Sequence, residues 1–208
     1  MTTVSDPAFW EGLYAGGGDR WELGGPAPPL VAYLATHPRL PGARVAVPGC
    51  GRGHDARFLA RQGYRVWGFD FAEAAIRDAR ALAAAVPGDV VFEPRDVFGL
   101  AADYRGAFDG LWEYTSFCAI DPARRPEYVE AVRALLEPAG WLLACFFPVR
   151  AGPLTGPPFP ATEAEIRRLF ERHFAFVEAL APRASAPGRA GLEWMVLARA
   201  ESPVGGGV

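Results

Sequence analysis

The stretch from Val45 to Asp70, VAVPGCGRGHDARFLARQGYRVWGFD, constrains this chain more than any other. Val45 and Val47, flanked by Ala43 and Ala46, form a short apolar run of strand character. Gly49, Gly51 and Gly53 follow in a turn with almost no side-chain bulk, and residues 54–62 are helix-compatible. Gly63 ends that helix, residues 65–69 form the next strand, and Asp70 stands at its carboxyl end. Glycines at a strand-to-helix turn permit positive φ and let a ligand approach the backbone. The free N–H groups of the helix start favour an anionic group. An acid about 20 residues on, at the tip of the second strand, suits the two hydroxyls of a ribose. The unit therefore predicts a ribose-containing cofactor at the switch point of an open α/β sheet. NAD and S-adenosylmethionine both fit. The third glycine comes one residue earlier than in G-x-G-x-x-G, which tilts the choice toward the adenosyl sulfonium.

A chain of 208 residues, half of them apolar and with a net charge of −3, suits one α/β domain with a sizeable core. Nothing in the charge pattern suggests a nucleic-acid footprint or a polybasic membrane patch. No apolar run of about 18 residues suggests a membrane span. The N-terminus lacks a basic flank and an apolar core, so a cytoplasmic protein is expected. The cysteines, Cys50, Cys118 and Cys145, are odd in number and form no C-x-x-C pair, which argues against a disulfide framework. His37, His54 and His173 show no metal-ligand spacing. Lysine and asparagine are absent, so arginine carries all the basic side-chain charge.

Ser5-Asp6-Pro7 can open a short helix bearing Phe9, Trp10, Leu13 and Tyr14, and Trp21 follows in a glycine-rich loop. Aromatic faces attract a sulfonium centre, so residues 1–40 read as a flap over a cationic ligand. After Asp70, a crossover helix is expected over 72–85, a third strand over 89–94 and a fourth over 108–113. Asp96 then sits where an acid can accept the exocyclic amine of adenine. Glu113 and Tyr114 share that edge with Asp70 and Asp96. A helix over 122–136, a break at 137–140 and an apolar strand over 141–147 come next. Residues 148–161, rich in proline and glycine, should roof the site. Thr162 should cap a helix to Arg172, with Glu165 completing a capping box. Strands over 174–180 and 192–199 should pair as a hairpin, and 202–208 reads as a flexible tail.

Three stretches together, PGCGRGHD at 48–55, GFD at 68–70 and YTSFCAIDPARRPEY at 114–128, carry a resemblance. The chain resembles the thiopurine S-methyltransferase family of class I methyltransferases, and most of all its thiol and halide (thiocyanate) branch. The stretch from Trp21 to Gly24, GPPFP at 156–160 and Arg189-x-Gly191-x-Glu193 are similar to further elements of that branch. The resemblance implies a Rossmann-like, mostly parallel seven-stranded sheet with a C-terminal antiparallel hairpin and helices on both faces. It implies S-adenosylmethionine as cofactor, S-adenosylhomocysteine as product and a small soft nucleophile as acceptor. It places Trp10, Tyr14, Trp21, Gly49, Gly51, Asp70, Asp96 and Val97 around the cofactor. Tyr114 would face the methionine portion or the acceptor, and Arg125 would lie on the acceptor side. Glu113 stands where relatives have aspartate. In-line methyl transfer needs alignment and exclusion of water, and a bound thiolate needs no general base. A nearby positive group would keep a thiol ionised; Arg125 is the first candidate and Arg150 the second. An NAD-dependent oxidoreductase and a non-catalytic nucleotide-sensing domain remain the alternatives. The expected partner is a small molecule, with neither nucleic acid nor membrane, and the expected state a monomer or small homo-oligomer.

Overall fold

A computed structural model describes residues 3–85 and 87–201; the expected tail at 202–208 lies outside them. Asp6 caps helix α1 (Pro7–Ala15) by accepting from the Ala8 N–H, and α2 (Pro28–Thr36) also opens on proline. Then come β1 (Arg44–Pro48), α3 (His54–Arg61), β2 (Arg65–Asp70), α4 (Glu73–Ala83), β3 (Val90–Pro94), the short α5 (Ala101–Tyr104) and β4 (Phe108–Tyr114). The chain closes with α6 (Arg125–Leu135), β5 (Leu136–Phe146), α7 (Glu163–Phe170), β6 (Phe174–Leu180) and β7 (Trp194–Ala200). The seven strands form one sheet in the order β3-β2-β1-β4-β5-β7-β6. Strands β1 to β5 run parallel, and β7 inserts antiparallel between β5 and β6. This is the expected architecture. Chain order reverses between β1 and β4, so their carboxyl ends open the crevice where open α/β sheets bind ligands.

Each face of the sheet buries an apolar layer. On one, Tyr128, Val132 and Leu135 of α6 and Ile166 and Phe170 of α7 pack on Leu111, Leu142 and Val196. On the other, Leu30 and Tyr33 of α2, Leu59 of α3 and Ile76 of α4 pack on Val45, Val66, Trp112 and Leu143. Among the described residues, no helix is long and apolar enough to cross a membrane.

Three local expectations need correction. The proline and glycine at 137–140 do not separate α6 from β5, because the strand begins at Leu136, directly after the helix. Leu136 pairs with Phe108 and Trp141 with Gly110, so the extra residues form a bulge in which Ala139 takes φ 62°. Gly110 is fixed by packing, because a Cβ there would lie 2.0 Å from the Trp141 ring. Helix α7 ends at Phe170, short of Arg172. Its Thr162 hydroxyl does accept from the Glu165 N–H at 3.1 Å, but the Glu165 carboxylate turns away from the cap and pairs with Arg125 at 2.8 Å. A charged donor outcompetes a backbone amide for a carboxylate. Helix α5 carries no sequence signal; it is a single turn after Asp96.

Candidate active site

The glycine turn is built as its spacing demands. Gly49, Gly51 and Gly53 take φ of 60°, 53° and 69°, values that L side chains rarely adopt. A Cβ on Gly49 would meet the Ser116 hydroxyl at 2.7 Å, so the turn lies flush against the segment that follows β4. The Gly51 N–H donates to Asp70 Oδ2 at 3.0 Å, and the Ala72 N–H to Asp70 Oδ1 at 2.9 Å. Two backbone donors thus fix the carboxylate at the tip of β2. Burial outweighs these bonds and pushes the Asp70 carboxyl up to about 6. Both oxygens keep lone pairs for further donors, as the two hydroxyls of a ribose require.

Cavity, N-terminal aromatics and acid meet at this point. A cavity of about 660 Å³ runs from Asp70 and Asp96 past the glycine turn to Tyr114, Phe147 and Arg189, within the range of about 300–1,000 Å³ usual for ligand sites. Trp10, Tyr14 and Trp21 line it and interlock edge to face, with centroids 5.4 and 5.6 Å apart. Trp10 is buried against Ala72, which caps α4, and Ala75 within it, and its indole N–H donates to the Val4 carbonyl at 2.8 Å. Burial, and the nearby Asp70, raise the Tyr14 phenol well above its ordinary value. Charged groups clasp the segment to the turn. Arg52 pairs with Asp19, with Asp78 at 3.1 Å and with Glu22 at 3.4 Å. His54 Nδ1 accepts a hydrogen bond from Arg57 at 2.9 Å, so its Nε2–H donates to Glu22 at 2.9 Å. The His54 bond holds the Glu22 carboxyl down at about 2.

At the far side of Asp70, Asp96 and Val97 line the cavity beside Phe71, Phe98 and Ile120. Asp96 Oδ1 accepts from the Phe98 N–H at 3.1 Å, which leaves its other oxygen for an amine. The Arg124 guanidinium lies 3.6 Å over the Phe98 ring and closes this end.

The opposite end differs from expectation. Arg125 is not in the cavity wall. It is 1% exposed under the roof loop, donating to the carbonyls of Phe159 at 2.9 Å and Pro160 at 3.2 Å and to Glu165. Its guanidinium also lies 4.7 Å over Phe117. Its two terminal nitrogens are both engaged and only Nε lacks a partner, so an arginine this enclosed is a tether and does not meet an acceptor. Arg150, the second candidate, is exposed and lines nothing there. The buried cation at this end is Arg189, whose guanidinium packs 4.7 Å over Phe147 and donates to the Tyr114 hydroxyl at 2.6 Å. Tyr114 in turn donates to Glu193 at 2.6 Å. Arg189 and Glu193 stand out in the sequence through the R-x-G-x-E spacing, which assigned neither a role.

Two carboxyls support the floor, Asp55 half-buried in the cavity lining and Glu113 buried beneath it. Asp55 accepts from the Ala27 N–H at 2.6 Å and the Trp112 indole at 2.7 Å. Glu113 accepts from the Phe117 N–H at 2.8 Å and from the Tyr128 hydroxyl, and burial pushes it up to about 7. Glu113 therefore shapes the segment after β4, including Thr115 at φ 61°, from below the cavity.

Comparison with known proteins agrees with this geometry. The family profile of thiopurine S-methyltransferase (TPMT) matches residues 5–186. A probable thiol methyltransferase 2 of Arabidopsis thaliana is 31% identical over 162 residues, covering 77% of this chain and 70% of the relative. A thiocyanate methyltransferase 1 of Brassica oleracea is 34% identical over 142 residues, covering 67% of this chain and 62% of the relative. Among solved structures, the 1,6-didemethyltoxoflavin-N1-methyltransferase of Burkholderia thailandensis holds 1,6-didemethyltoxoflavin and S-adenosylhomocysteine. It superimposes with a TM-score of 0.75 at 26% identity, covering 94% of this chain and 87% of that one.

Proposed function

Because the chain belongs to the thiopurine S-methyltransferase family, we propose a distinct task for each end of its cavity. The protein is an S-adenosylmethionine-dependent methyltransferase whose acceptors are small thiol-type molecules. Family membership sets aside the oxidoreductase and nucleotide-sensing alternatives. Asp70 takes the ribose hydroxyls, Asp96 and Val97 meet the adenine, and Gly49 and Gly51 leave room for the methionine portion. Trp10, Tyr14 and Trp21 form a lid that shields the sulfonium from water. When bound, the cofactor would supply a methyl group that moves without the bonding pair to the acceptor sulfur, whose lone pair makes the new S–C bond as the donor sulfur keeps the pair of the bond that breaks.

Arg189 is the cation that receives the acceptor as thiolate, and one observation carries this assignment. Of the arginines that line the cavity, Arg52, Arg95 and Arg124 are each paired with a carboxylate and Arg20 is exposed. Arg189 is 8% exposed and bonds a neutral phenol. A buried guanidinium with N–H groups left over favours an anion. Tyr114 and Phe147 against it favour a thiol with an apolar body. Tyr114 serves as the support of this cation: its proton is directed to Glu193 and its oxygen to Arg189, so it is not free to act as a base.

The test is methyl transfer to a panel of alkyl thiols, aromatic thiols, thiocyanate and iodide, read as S-adenosylhomocysteine release. The rate for an alkyl thiol should rise with pH through the thiol's own pKa, near 8.5. Arg189→Gln should lower kcat/KM about 100-fold for thiols, the usual scale for a lost charge-assisted contact, and leave cofactor affinity unchanged. Arg189→Lys should restore part of the loss. Transfer confined to oxygen or nitrogen acceptors, or a silent Arg189→Gln, overturns this reading.

A further inference from the structure

Glu193 is 5% exposed, and the family assignment leaves it without a task. Its Oε1 accepts the Tyr114 proton at 2.6 Å, while its Oε2 is buried with no hydrogen-bond partner. An orphaned carboxylate oxygen beside a cavity is costly, so a position that keeps one needs a reason. The chain Glu193–Tyr114–Arg189 joins two separate elements: the end of β4, which carries Tyr114, and the loop before β7, which carries both Arg189 and Glu193. The two charges meet through one phenol oxygen, whose lone pair faces Arg189 because its proton faces Glu193.

We propose that Glu193 is a positioning residue for the acceptor: acting through the Tyr114 hydroxyl, it aims the Arg189 guanidinium at the cavity and offsets part of its charge. The proposal rests on Arg189 as the acceptor cation. An unbalanced guanidinium would hold a thiolate too well. The acceptor's negative charge is dispersed as the new bond forms, so extra positive potential stabilises the bound thiolate more than the transition state. A counter-charge one phenol away moderates that potential and leaves the cavity balanced once both products are neutral. Two thiols neighbour this cluster, Cys145 of β5 and Cys118 after β4; Glu113 lies near both of them, Asp55 of α3 near Cys145 and Arg125 near Cys118. Burial pushes Cys118 up to about 12 and Cys145 well above its ordinary value, so neither thiol titrates near neutrality. Glu113 and Asp55 are common to every variant below and cancel in the comparison.

Thiocyanate serves as the anion probe, titrated by calorimetry into the S-adenosylhomocysteine complex, where it cannot be methylated. Glu193→Gln, which can still accept the Tyr114 proton, should tighten thiocyanate about threefold to tenfold. With 2-mercaptoethanol as acceptor it should lower KM and kcat together and move the acid limb of kcat to lower pH. Tyr114→Phe changes no charge but frees Arg189 to swing onto Glu193, and should weaken thiocyanate by a similar factor. It also keeps the test decisive if Glu193→Gln does not fold. Glu193→Asp should restore the parent behaviour in part. If Arg189→Gln abolishes thiocyanate binding while the available Glu193 and Tyr114 variants match the parent, the positioning role is wrong and the Arg189 assignment stands. If Arg189→Gln binds thiocyanate as the parent does, the Arg189 assignment fails and this role fails with it.

Discussion

The two ends of the cavity are held by different kinds of bond. At the cofactor end, Asp70 is fixed by the backbone N–H groups of Gly51 and Ala72, 19 and 2 residues away. At the acceptor end, Arg189 is fixed by Tyr114, 75 residues away, and Tyr114 by Glu193, 79 residues away. The first end depends on main-chain geometry and tolerates side-chain change around it. The second depends on side chains brought together by the completed sheet and by the loops that leave β5 and precede β7. A perturbation of the roof should therefore disturb the acceptor end and leave the cofactor end intact.

The largest effect should come from the tether of that roof. Arg125→Ala removes charge-assisted bonds to Glu165 and to the Phe159 and Pro160 carbonyls, which are left without that donor. Glu165 is itself 30% exposed, which moderates the loss. We expect a destabilisation of about 2–4 kcal/mol and a fall in Tm on the order of 5–10 °C. S-adenosylhomocysteine affinity should change little at a temperature where the variant is folded. An unchanged Tm with a large loss of thiol turnover would return Arg125 to the acceptor site.

This contrast also governs what could be read from the chain. The turn from Gly49 to Asp70 was legible because its parts are neighbours in sequence and their spacing has one geometric meaning. The alternation of apolar runs and helical stretches up to β4, and the short link between β6 and β7, made the individual elements legible; the seven-stranded sheet was what the resemblance implied, and the strand order is visible only in the folded chain. Arg125 was misplaced because the helix bearing it lies beside the acceptor segment in sequence, whereas its side chain points under the roof loop. That direction is set by Phe159, Pro160 and Glu165, more than 30 residues on. Arg189 drew notice only as part of a spacing, since nothing local says that a loop before β7 folds back on Tyr114. The bulge at 137–140 escaped for a related reason: proline and glycine mark a local break, and the pairing of Leu136 with Phe108 is tertiary.

Asp70 offers the next largest effect, at the other end. Asp70→Ala should weaken S-adenosylmethionine about tenfold, or about 1.4 kcal/mol. The pH dependence follows from its raised value. In the free protein the buried group favours its protonated form, so its contribution to stability is complete below the unfolded value near 3.9 and is lost as pH rises through about 6. Ribose hydroxyls donate to the ionised form and lower its pKa. Cofactor binding should therefore release protons below about pH 6, and affinity should rise with pH up to that point. Calorimetry in buffers of different ionisation enthalpy reads the release directly. Asp70→Ala should abolish it and should not lower the stability of the free protein at pH 7. Pyridine-nucleotide affinity matching that for S-adenosylmethionine, or no proton release in the parent, would remove Asp70 from the ribose.

The smallest effect should come from the lid, which joins the two kinds of support. Its aromatic part, Trp10 on Ala72 and Ala75, is apolar and insensitive to salt. Its ionic part, Arg52 with Asp19, Glu22 and Asp78, is only partly shielded, with side chains from 12% to 38% exposed. Such a cluster contributes about 1 kcal/mol or less and is screened by salt. Arg52→Ala should therefore leave the fold and the Tm nearly unchanged and weaken the cofactor by about threefold. In the parent, S-adenosylhomocysteine should protect the segment before Ala27 from protease, and that protection should weaken between about 0.05 and 0.5 M salt. In Arg52→Ala it should weaken even at low salt. Equal cleavage with and without S-adenosylhomocysteine would show that α1 and the loop after it are fixed packing, and that cofactor enters this cavity by another route.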